Sequence, residues 1–349
     1  NLFIGNLFGS YYFSTPDDFF SYYNGFKAGQ TGLGKYINQY YFKEANVDVT
    51  GDPHWAASFG AGQLGFYVQD KWDVSNSFQL TYGLRMDMPL FFDRPAENAP
   101  FNEWAAQNGY SFKTNQKLSS APMWSPRVGF RWDLNNDHKF ILRGGVGIFT
   151  GRIPFVWLSN SFSNTGIQLS SYTARRSDKI SLILDPNKQS ENGRLLTASS
   201  GSQLINVFDK DFKFSQNLRA NLGVDFKLLG IDWTAEAIYS KTLNDVYYQN
   251  VAYTESGKTL ADKTGLYWDN RPMYERVTTG LPFNEIYVLK NTNKGYTYSL
   301  SLKADKSFAC GLDLSASYTF TQSKSISSAT SSQAQSNWRN TQTYRFSNS

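Results

Sequence analysis

The chain has 349 residues, a net charge of +5 and an aromatic content of 17%, with 22 Tyr, 27 Phe and 9 Trp. No apolar run approaches the roughly 20 residues that a membrane-spanning helix needs, so a helical membrane protein is excluded. Basic residues are interleaved with Asp and Glu, which excludes a nucleic-acid-binding patch, and a single cysteine excludes an internal disulfide framework.

The first predicted element is a pair of strands in residues 63–88, joined by a turn at Ser75 and Asn76. Apolar and polar residues alternate along both strands. The apolar set is Leu64, Phe66, Val68, Phe78, Leu80, Tyr82, Leu84, Met86 and Met88. A spacing of two is typical of a β-strand and does not fit a helix, whose period is about 3.6 residues.

Three further strand pairs follow in chain order. Residues 127–148 turn at 135–139, residues 218–239 turn at Leu229 and Gly230, and residues 296–320 turn near Ser307. Each strand again alternates between apolar and polar side chains. The sequence therefore predicts an all-β fold with about eight clear strands in four antiparallel hairpins.

The connections between the hairpins are long, at residues 89–125, 150–214 and 242–294, whereas the turns within hairpins are short. Irregular loops of this size are uncommon in a compact domain. Short turns at one end and long extracellular loops at the other are typical of bacterial transmembrane barrels. The pattern therefore predicts part of a transmembrane antiparallel β-barrel in the bacterial outer membrane. A soluble β-sandwich or propeller is the alternative.

Each strand has an apolar and a polar side. We predict that the apolar side faces lipid, at Leu80, Tyr82, Leu84, Phe130, Leu222, Val224, Leu300 and Leu314. We predict that the polar side faces the lumen, at Arg85, Arg127, Arg131, Arg143, Arg219, Asp225 and Ser301. The arginines allow two interpretations: a solvated interior or contacts to a plug domain, and a basic lumen that guides an anionic solute.

The turn lengths predict which residues face each other across three hairpins. The predicted pairs are Phe226–Trp233, Lys227–Asp232, Lys303–Asp313 and Arg131–Arg143. The last pair opposes two like charges, which a nearby carboxylate such as Asp133 would relieve. Asp70 lies on the apolar side of its strand, which predicts either a bulge there or a position in the headgroup zone of the membrane.

Aromatic residues in the long connections are candidates for a ligand-binding vestibule. They are Trp104, Tyr110, Trp124, Trp157, Tyr172 and Trp268. Aromatic rings with polar tips suit sugars, peptides and iron chelates alike. The alternative is that these side chains pack the loops together, and the sequence does not decide between the two.

Motifs for catalysis and metal binding are incomplete. Residues 29–35 nearly spell a phosphate-binding loop, but Tyr36 stands where Ser or Thr would hold magnesium, and no apolar strand precedes them. Asp133, Asn135 and Asp137 have the spacing of the first calcium-loop ligands, without the Gly and later Glu that such a loop needs. We therefore expect no enzymatic activity, no cofactor and no metal site.

Several stretches resemble a known family. Residues 63–89, QLGFYVQDKWDVSNSFQLTYGLRMDMP, are similar to a strand pair of TonB-dependent receptors, in which a Tyr-x-Gln-Asp segment precedes a turn and a Tyr-Gly-Leu-Arg strand. Residues 125–134, SPRVGFRWDL, and 142–166, LRGGVGIFTGRIPFVWLSNSFSNTG, resemble more narrowly the Oar-like receptors of Bacteroidota. Those receptors begin with a carboxypeptidase-regulatory-like domain.

The resemblance implies a barrel of about 22 strands, an N-terminal plug, and a TonB box that couples import to the inner-membrane proton gradient. Residues 1–349 are then expected to form part of a TonB-dependent receptor barrel that cannot close alone. The plug and the regulatory-like domain are absent from this chain. Residues 1–61 and 323–349 are expected to be external segments.

The function implied by the resemblance is that of an outer-membrane receptor that binds a solute in its external loops and imports it with TonB-coupled energy. A structural or adhesive surface protein and a passive porin are the alternatives. The expected partners are outer-membrane lipid, TonB acting through a region missing from this chain, a solute of unknown identity and a surface lipoprotein, but no nucleic acid.

Overall fold

The computed structural model describes residues 6, 9–52, 54–196, 204–268, 270–277, 280, 281, 283–327 and 330–338, and most of its regular structure is β-sheet. In chain order the strands are β1 (Ser10–Tyr12), β2 (Gln39–Ala45), β3 (Ala61–Asp73), β4 (Phe78–Phe91), β5 (Met123–Asp133), β6 (Phe140–Thr150), β7 (Leu169–Ala174), β8 (Leu204–Phe208), β9 (Gln216–Leu228), β10 (Ile231–Asn250), β11 (Tyr253–Thr259), β12 (Pro272–Arg276), β13 (Glu285–Thr292), β14 (Gly295–Ser307) and β15 (Asp313–Ser325).

The helices are short and lie before β3 and in the long connections. They are α1 (Pro16–Lys27), α2 (Val47–Thr50), α3 (Ala99–Gln107), α4 (Phe155–Ser163), α5 (Ser190–Arg194) and α6 (Leu260–Thr264), with 3-10 turns at Leu33–Tyr36 and Pro186–Lys188. No helix in the described ranges is long and apolar enough to cross a membrane.

Eight strands form one antiparallel meander, in the order β3-β4-β5-β6-β9-β10-β14-β15. They are the strands of the four predicted hairpins, so the predicted all-β fold is confirmed. Within each hairpin, a short turn places the second strand beside the first. The long connections then join β4 to β5, β6 to β9 and β10 to β14, and these strands also pair in the sheet. β3 and β15 form the two edges of this meander.

The turn at Leu229 and Gly230 confirms the predicted register of the third hairpin. Both residues have positive φ angles, 56° and 67°, as a type I′ turn requires. The predicted pairs Phe226–Trp233 and Lys227–Asp232 are both formed, and 3.5 Å separates the Lys227 Nζ from the Asp232 Oδ1.

Replacing Leu229 with Asn should raise the free energy of unfolding by about 1 kcal/mol, because Asn adopts the left-handed conformation more easily than Leu. Little packing is lost, since Leu229 is 85% exposed. Leu228→Asn, one residue earlier within β9, is the matched control and should not stabilise. Urea unfolding of the full-length protein in lipid measures both variants. An unchanged or lower unfolding free energy for Leu229→Asn would contradict this turn geometry.

The register predicted for the fourth hairpin is wrong. Lys303 faces Ser317 and not Asp313, because β14 continues through Lys306 before the chain turns. The Lys306 Nζ donates to the carbonyl oxygen of Gly230 at 2.8 Å, in the turn of the neighbouring hairpin. The turn of this hairpin therefore covers residues 308–312 and not 306–310, and Gly311 has a positive φ angle of 86° in it.

The bulge predicted at Asp70 is also wrong. Asp70 faces Tyr82 in an uninterrupted ladder between β3 and β4, and the Tyr82 hydroxyl donates to the Asp70 Oδ2 at 2.9 Å. This hydrogen bond provides a partner for a carboxylate on the apolar side. A position of Asp70 in the headgroup zone stays a prediction.

Rows of directly opposed residues show that the meander has one apolar and one polar face. One apolar row is Trp72, Leu80, Phe130, Gly144, Leu222, Ala237, Leu300 and Phe320. The neighbouring polar row is Gln79, Arg131, Arg143, Gly223, Glu236, Ser301 and Thr319. The eight residues predicted to face lipid all lie on the apolar face, so the predicted division of the strands is confirmed.

The long connections all leave one end of the meander and pack together. We call the described residues of 9–60, 92–122, 151–215, 251–294 and 330–338 the cap. Three clusters of buried side chains lie in it, the first around Leu158, Phe208 and Tyr287, the second around Phe101, Val207 and Ile286, and the third around Tyr40 and Phe42. The first cluster includes Phe91, Met123 and Val246 from strand ends, which joins the cap to the sheet.

The interpretation of residues 150–214 and 242–294 as irregular loops is therefore wrong. β10 continues beyond Thr242, where its register with β9 shifts, and ends at Asn250. Its far half pairs with β13, which pairs in parallel with β8. Val246 and Tyr248 keep the alternation of the strand and bury their side chains in the first cluster.

The segment before β3 folds as part of the cap. β1, β2 and β7 form a separate antiparallel sheet in the order β1-β2-β7. In β2, Tyr40 and Phe42 bury their rings in the third cluster. Tyr41 and Lys43 lie on the opposite side of the same strand.

Candidate functional site

The polar face of the meander carries all five arginines that the sequence predicts to line a lumen. They are Arg85, Arg127, Arg131, Arg143 and Arg219. Arg131 directly faces Arg143, as predicted. Arg127 and Arg219 lie on either side of Gly147 in one row.

Two carboxylates on neighbouring strands relieve the Arg131–Arg143 contact. The Arg143 Nε lies 3.1 Å from the Asp225 Oδ2, and its Nη1 lies 3.1 Å from the Glu236 Oε1. To reach Glu236 the guanidinium crosses Gly223, where an added Cβ would stand 3.0 Å from the guanidinium carbon. A glycine at this position therefore leaves the space that the ion pair needs.

Asp133 does not relieve this pair, contrary to the prediction. Its Oδ2 accepts a hydrogen bond from the backbone amide of His138 at 3.0 Å, which closes the turn of the second hairpin. Asp133 is the last residue of β5, so the turn amides are its nearest donors. This turn also accounts for the calcium-like spacing of Asp133, Asn135 and Asp137.

Two further arginines are held by neighbours. Arg85 forms a two-pronged ion pair with the buried Asp87, with Nε–Oδ2 and Nη2–Oδ1 distances of 2.8 Å. The Arg127 guanidinium lies 5.3 Å from the centroid of the Phe149 ring. Arg131 and Arg219 are exposed and make no ion pair with any residue in the described ranges. Among the five arginines, Arg131 and Arg219 thus lie on the polar face without an ion-pair partner among the described residues.

Most of the predicted vestibule aromatics pack inside the cap. Trp104 packs on the second cluster, and its ring is tilted by 33° against that of Tyr110, with ring centroids 5.6 Å apart. The Trp104 Nε1 donates to the Gly280 carbonyl. Trp157 packs on the first cluster, and Tyr172 stacks on Phe42 in the third, with ring centroids 5.7 Å apart. These four side chains do not meet at one place.

The other two aromatics lie elsewhere. Trp124 belongs to β5 and faces Met86 on the apolar face, so its assignment to a loop is wrong. The cause is that β5 begins before the predicted strand. Trp268 is 65% exposed beside Tyr267, in the connection between β11 and β12.

A cavity of about 560 Å³ lies within the cap. It is surrounded by the sheet β1-β2-β7, helix α4, the segment before β13 and residues 332–335. Strands β2 and β7 line it with the side chains that point away from the third cluster, which are Tyr41, Lys43, Leu169, Ser171 and Thr173. The alternation of QYYFKEA in residues 39–45 is the sequence signal for this wall, and it lies outside the four predicted hairpins.

Three charged side chains line the cavity. Burial lowers the pKa of Lys43 from its usual value, because desolvation penalises the charged ammonium. The Arg276 Nη2 donates to the backbone and side-chain oxygens of Asn284, at 3.1 and 3.0 Å. The Glu285 Oε2 accepts from the Tyr287 hydroxyl at 2.6 Å and from Gln335 at 2.7 Å.

The two incomplete motifs lie at connections between regular elements. Residues 29–35 connect α1 to the turn Leu33–Tyr36, and no strand leads into them as a phosphate-binding loop requires. Within the described ranges, no three His, Cys, Asp or Glu side chains group in a way that could hold a metal ion.

A meander with one apolar and one polar face, short turns at one end and a folded cap at the other, is typical of outer-membrane β-barrel domains. The chain belongs to the outer membrane beta barrel domain family, whose model matches residues 10–349. It is accordingly a protein of the bacterial outer membrane. No curated protein sequence matches it.

Solved structures of outer-membrane receptors and transporters are similar to the chain. The siderophore receptor PirA from Pseudomonas aeruginosa is 15% identical over 76% of this chain and 35% of its own, with a TM-score of 0.39. The outer membrane transporter YddB from Escherichia coli is 13% identical over 75% and 25%, with a TM-score of 0.36. A variant of the ferric enterobactin receptor PfeA from Pseudomonas aeruginosa is 13% identical over 81% and 32%, with a TM-score of 0.44. The chain spans about a third or less of the length of these proteins.

The two faces of the meander should differ in their reaction with a membrane-impermeant thiol reagent. In membranes, Tyr82→Cys and Leu84→Cys should stay unmodified because lipid covers the apolar face. Arg131→Cys on the polar face should react. The background is Cys310→Ser, since Cys310 is exposed. Equal reaction at Leu84→Cys and Arg131→Cys would show that the apolar face does not contact lipid.

Proposed function

We propose that this protein is an outer-membrane receptor that binds a solute in the cap and admits it along the polar face of the barrel. The observation that carries the proposal is the cavity in a folded cap, set at the long-connection end of the sheet. A preformed cavity of this size is typical of small-molecule sites. Binding and gated passage then account for the protein's activity without a covalent step.

The finer assignment is to the TonB-dependent receptors, and within them to the Oar-like group. Residues 1–349 would be part of the barrel, with further strands of the full-length protein pairing with the edges of β3 and β15. TonB would act through a region outside these residues. The arginines of the polar face would line the lumen, with Arg131 and Arg219 available to an anionic solute.

An adhesive or structural role is the second candidate. The observation that favours it is the exposed pair Tyr267 and Trp268, whose accessible fractions are 84% and 65%. Exposed aromatic side chains on an outward segment are common anchors for a protein partner. A surface lipoprotein would be a partner of this kind.

Uptake of labelled solutes by intact cells tests the proposal. Cells with and without the full-length protein are offered ferric chelates, peptides, amino acids and neutral and acidic sugars, each with and without a protonophore. We expect uptake of one class to require both the protein and the proton gradient. Protein-dependent uptake that survives the protonophore would indicate a passive porin, and the absence of any protein-dependent uptake would favour adhesion.

A further inference from the structure

The wall of the cap cavity formed by β2 and β7 combines one cation with several hydroxyl groups. Lys43 and Ser171 directly face each other across the two strands, and Tyr41 faces Thr173 in the same way. All four line the cavity. The strands point these side chains inward because their alternate residues are buried in the third cluster on the other side.

Lys43 is half-buried, and its ammonium makes no hydrogen bond or ion pair with any residue of the described ranges. A partly buried cation without a partner loses part of its solvation and gains no ion pair in return. The direction of its pKa shift agrees with this account. An anion placed in the cavity would provide the missing partner.

The other polar groups around the cavity are largely engaged. Asn160 donates to the Ser332 carbonyl at 2.8 Å and accepts from the Ala334 amide at 3.2 Å. Glu285 and Arg276 are held by the hydrogen bonds described above. The hydroxyls of Ser171 and Thr173 make no hydrogen bond that involves their side chains within the described ranges, so they are available beside Lys43.

We propose that the cavity binds a small solute that carries an anionic group and several hydroxyl groups, with Lys43 contacting the anion and Ser171 and Thr173 the hydroxyls. The assignment rests on the proposed receptor function and adds the chemical class of the solute. Charge-assisted hydrogen bonds in a partly desolvated cavity are stronger than neutral ones, so Lys43 should account for most of the discrimination. Serine and threonine hydroxyls both donate and accept, which suits alcohol groups of either orientation.

Equilibrium binding of labelled glucuronate, glucose 6-phosphate and glucose to the detergent-solubilised full-length protein tests this inference. At least one of the two acidic sugars should bind about tenfold or more tightly than glucose. The two acids distinguish a carboxylate from a phosphate as the preferred anion. Lys43→Met should abolish the preference over glucose, whereas Lys43→Arg should keep most of it.

Two variants show whether the effect belongs to the cavity. Lys113→Met removes an exposed cap lysine outside the cavity and should change no affinity. Ser171→Ala should weaken binding of the acidic sugars several-fold. In the double variant with Lys43→Met, the preference for acidic sugars over glucose should be lost as it is in Lys43→Met alone. Equal binding of all three sugars, binding of none, or discrimination that survives Lys43→Met would each overturn the inference.

Failure of this inference and failure of the receptor function give different results. If the acidic sugars do not bind but another solute shows protein-dependent uptake in intact cells, the receptor function stands and the assigned solute class is wrong. If an acidic sugar binds through Lys43 but no solute is imported, the cavity is a binding site and the transport proposal is wrong.

Discussion

Deleting residues 253–276 should reduce solute uptake to the level of cells that lack the protein, while the barrel still assembles. The deletion removes β11, α6 and β12, and with them Tyr253 and Arg276 from the cavity wall. β11 and β12 pair only with each other among the described strands, so the β10–β13–β8 pairing is kept. Opening one wall exposes the cavity to water and removes contacts from the bound solute.

The two residues that flank the deletion lie close enough to be joined by a short link. The Val277 amide donates to the Ala252 carbonyl at 2.9 Å, so the two ends already lie side by side and a two-glycine link can join them. Heat-modifiable migration on gels and surface labelling report assembly, and labelled-solute uptake in intact cells reports function. Both are measured in the same cells.

Two controls show whether a loss of uptake comes from the cavity or from another part of the protein. Replacing the turn at residues 135–139 with Asn-Gly should leave uptake unchanged, because that turn lies at the opposite end of the sheet. Trp268→Ala alone should also leave uptake unchanged if the solute binds in the cavity and not at the exposed connection between β11 and β12. Normal uptake after the deletion would move the binding site to the polar face, where Arg131 and Arg219 would be the next candidates.

Phe208→Ala should lower the stability of the cap by about 3–5 kcal/mol, the usual range for removing a buried aromatic ring. The Phe208 side chain is fully buried in the first cluster, and its ring centroid lies 6.3 Å from that of Phe162. It ends β8, a short strand that pairs in parallel with β13. Because β8 is short, few other contacts hold it once the ring is removed, and the pairing of β8 with β13 should open.

Limited proteolysis of the protein in lipid measures this effect. In Phe208→Ala we expect rapid cleavage in the cap and continued protection of the meander, whose antiparallel ladder does not depend on β8. Phe92→Ala is the matched control, because that ring is 68% exposed and its loss should change little. Simultaneous loss of cap and meander would mean that they unfold as one cooperative unit.

Local patterns were sufficient to predict the meander. Strict alternation and short turns define each hairpin within a few tens of residues, and the pleat then assigns every side chain to one of two faces. The pair Lys227–Asp232 was correct because a two-residue turn permits a single register. Lys303–Asp313 was wrong because the turn lies at residues 308–312, so that Ser307 and not Lys303 faces Asp313.

The cap could not be predicted from the same patterns. The parallel contact of Val207 with Val288 joins residues far apart in the chain, and no turn brings them together. The six candidate aromatics were selected by residue type, and the structure distributes them over separate clusters, the apolar face and one exposed tip. The cavity wall at Lys43 and Ser171 arises where β2 and β7 meet.

The sequence by itself determined the four hairpins of the meander, their short turns and the two faces of that sheet, because each depends on neighbours within one hairpin. Only the tertiary structure decided which carboxylates pair with Arg143, how far β10 extends, and which polar side chains share a cavity. These features depend on packing between segments that are distant in the chain. Bringing such segments together costs the entropy of closing a long loop, and the buried contacts that offset this cost are not visible in any local pattern.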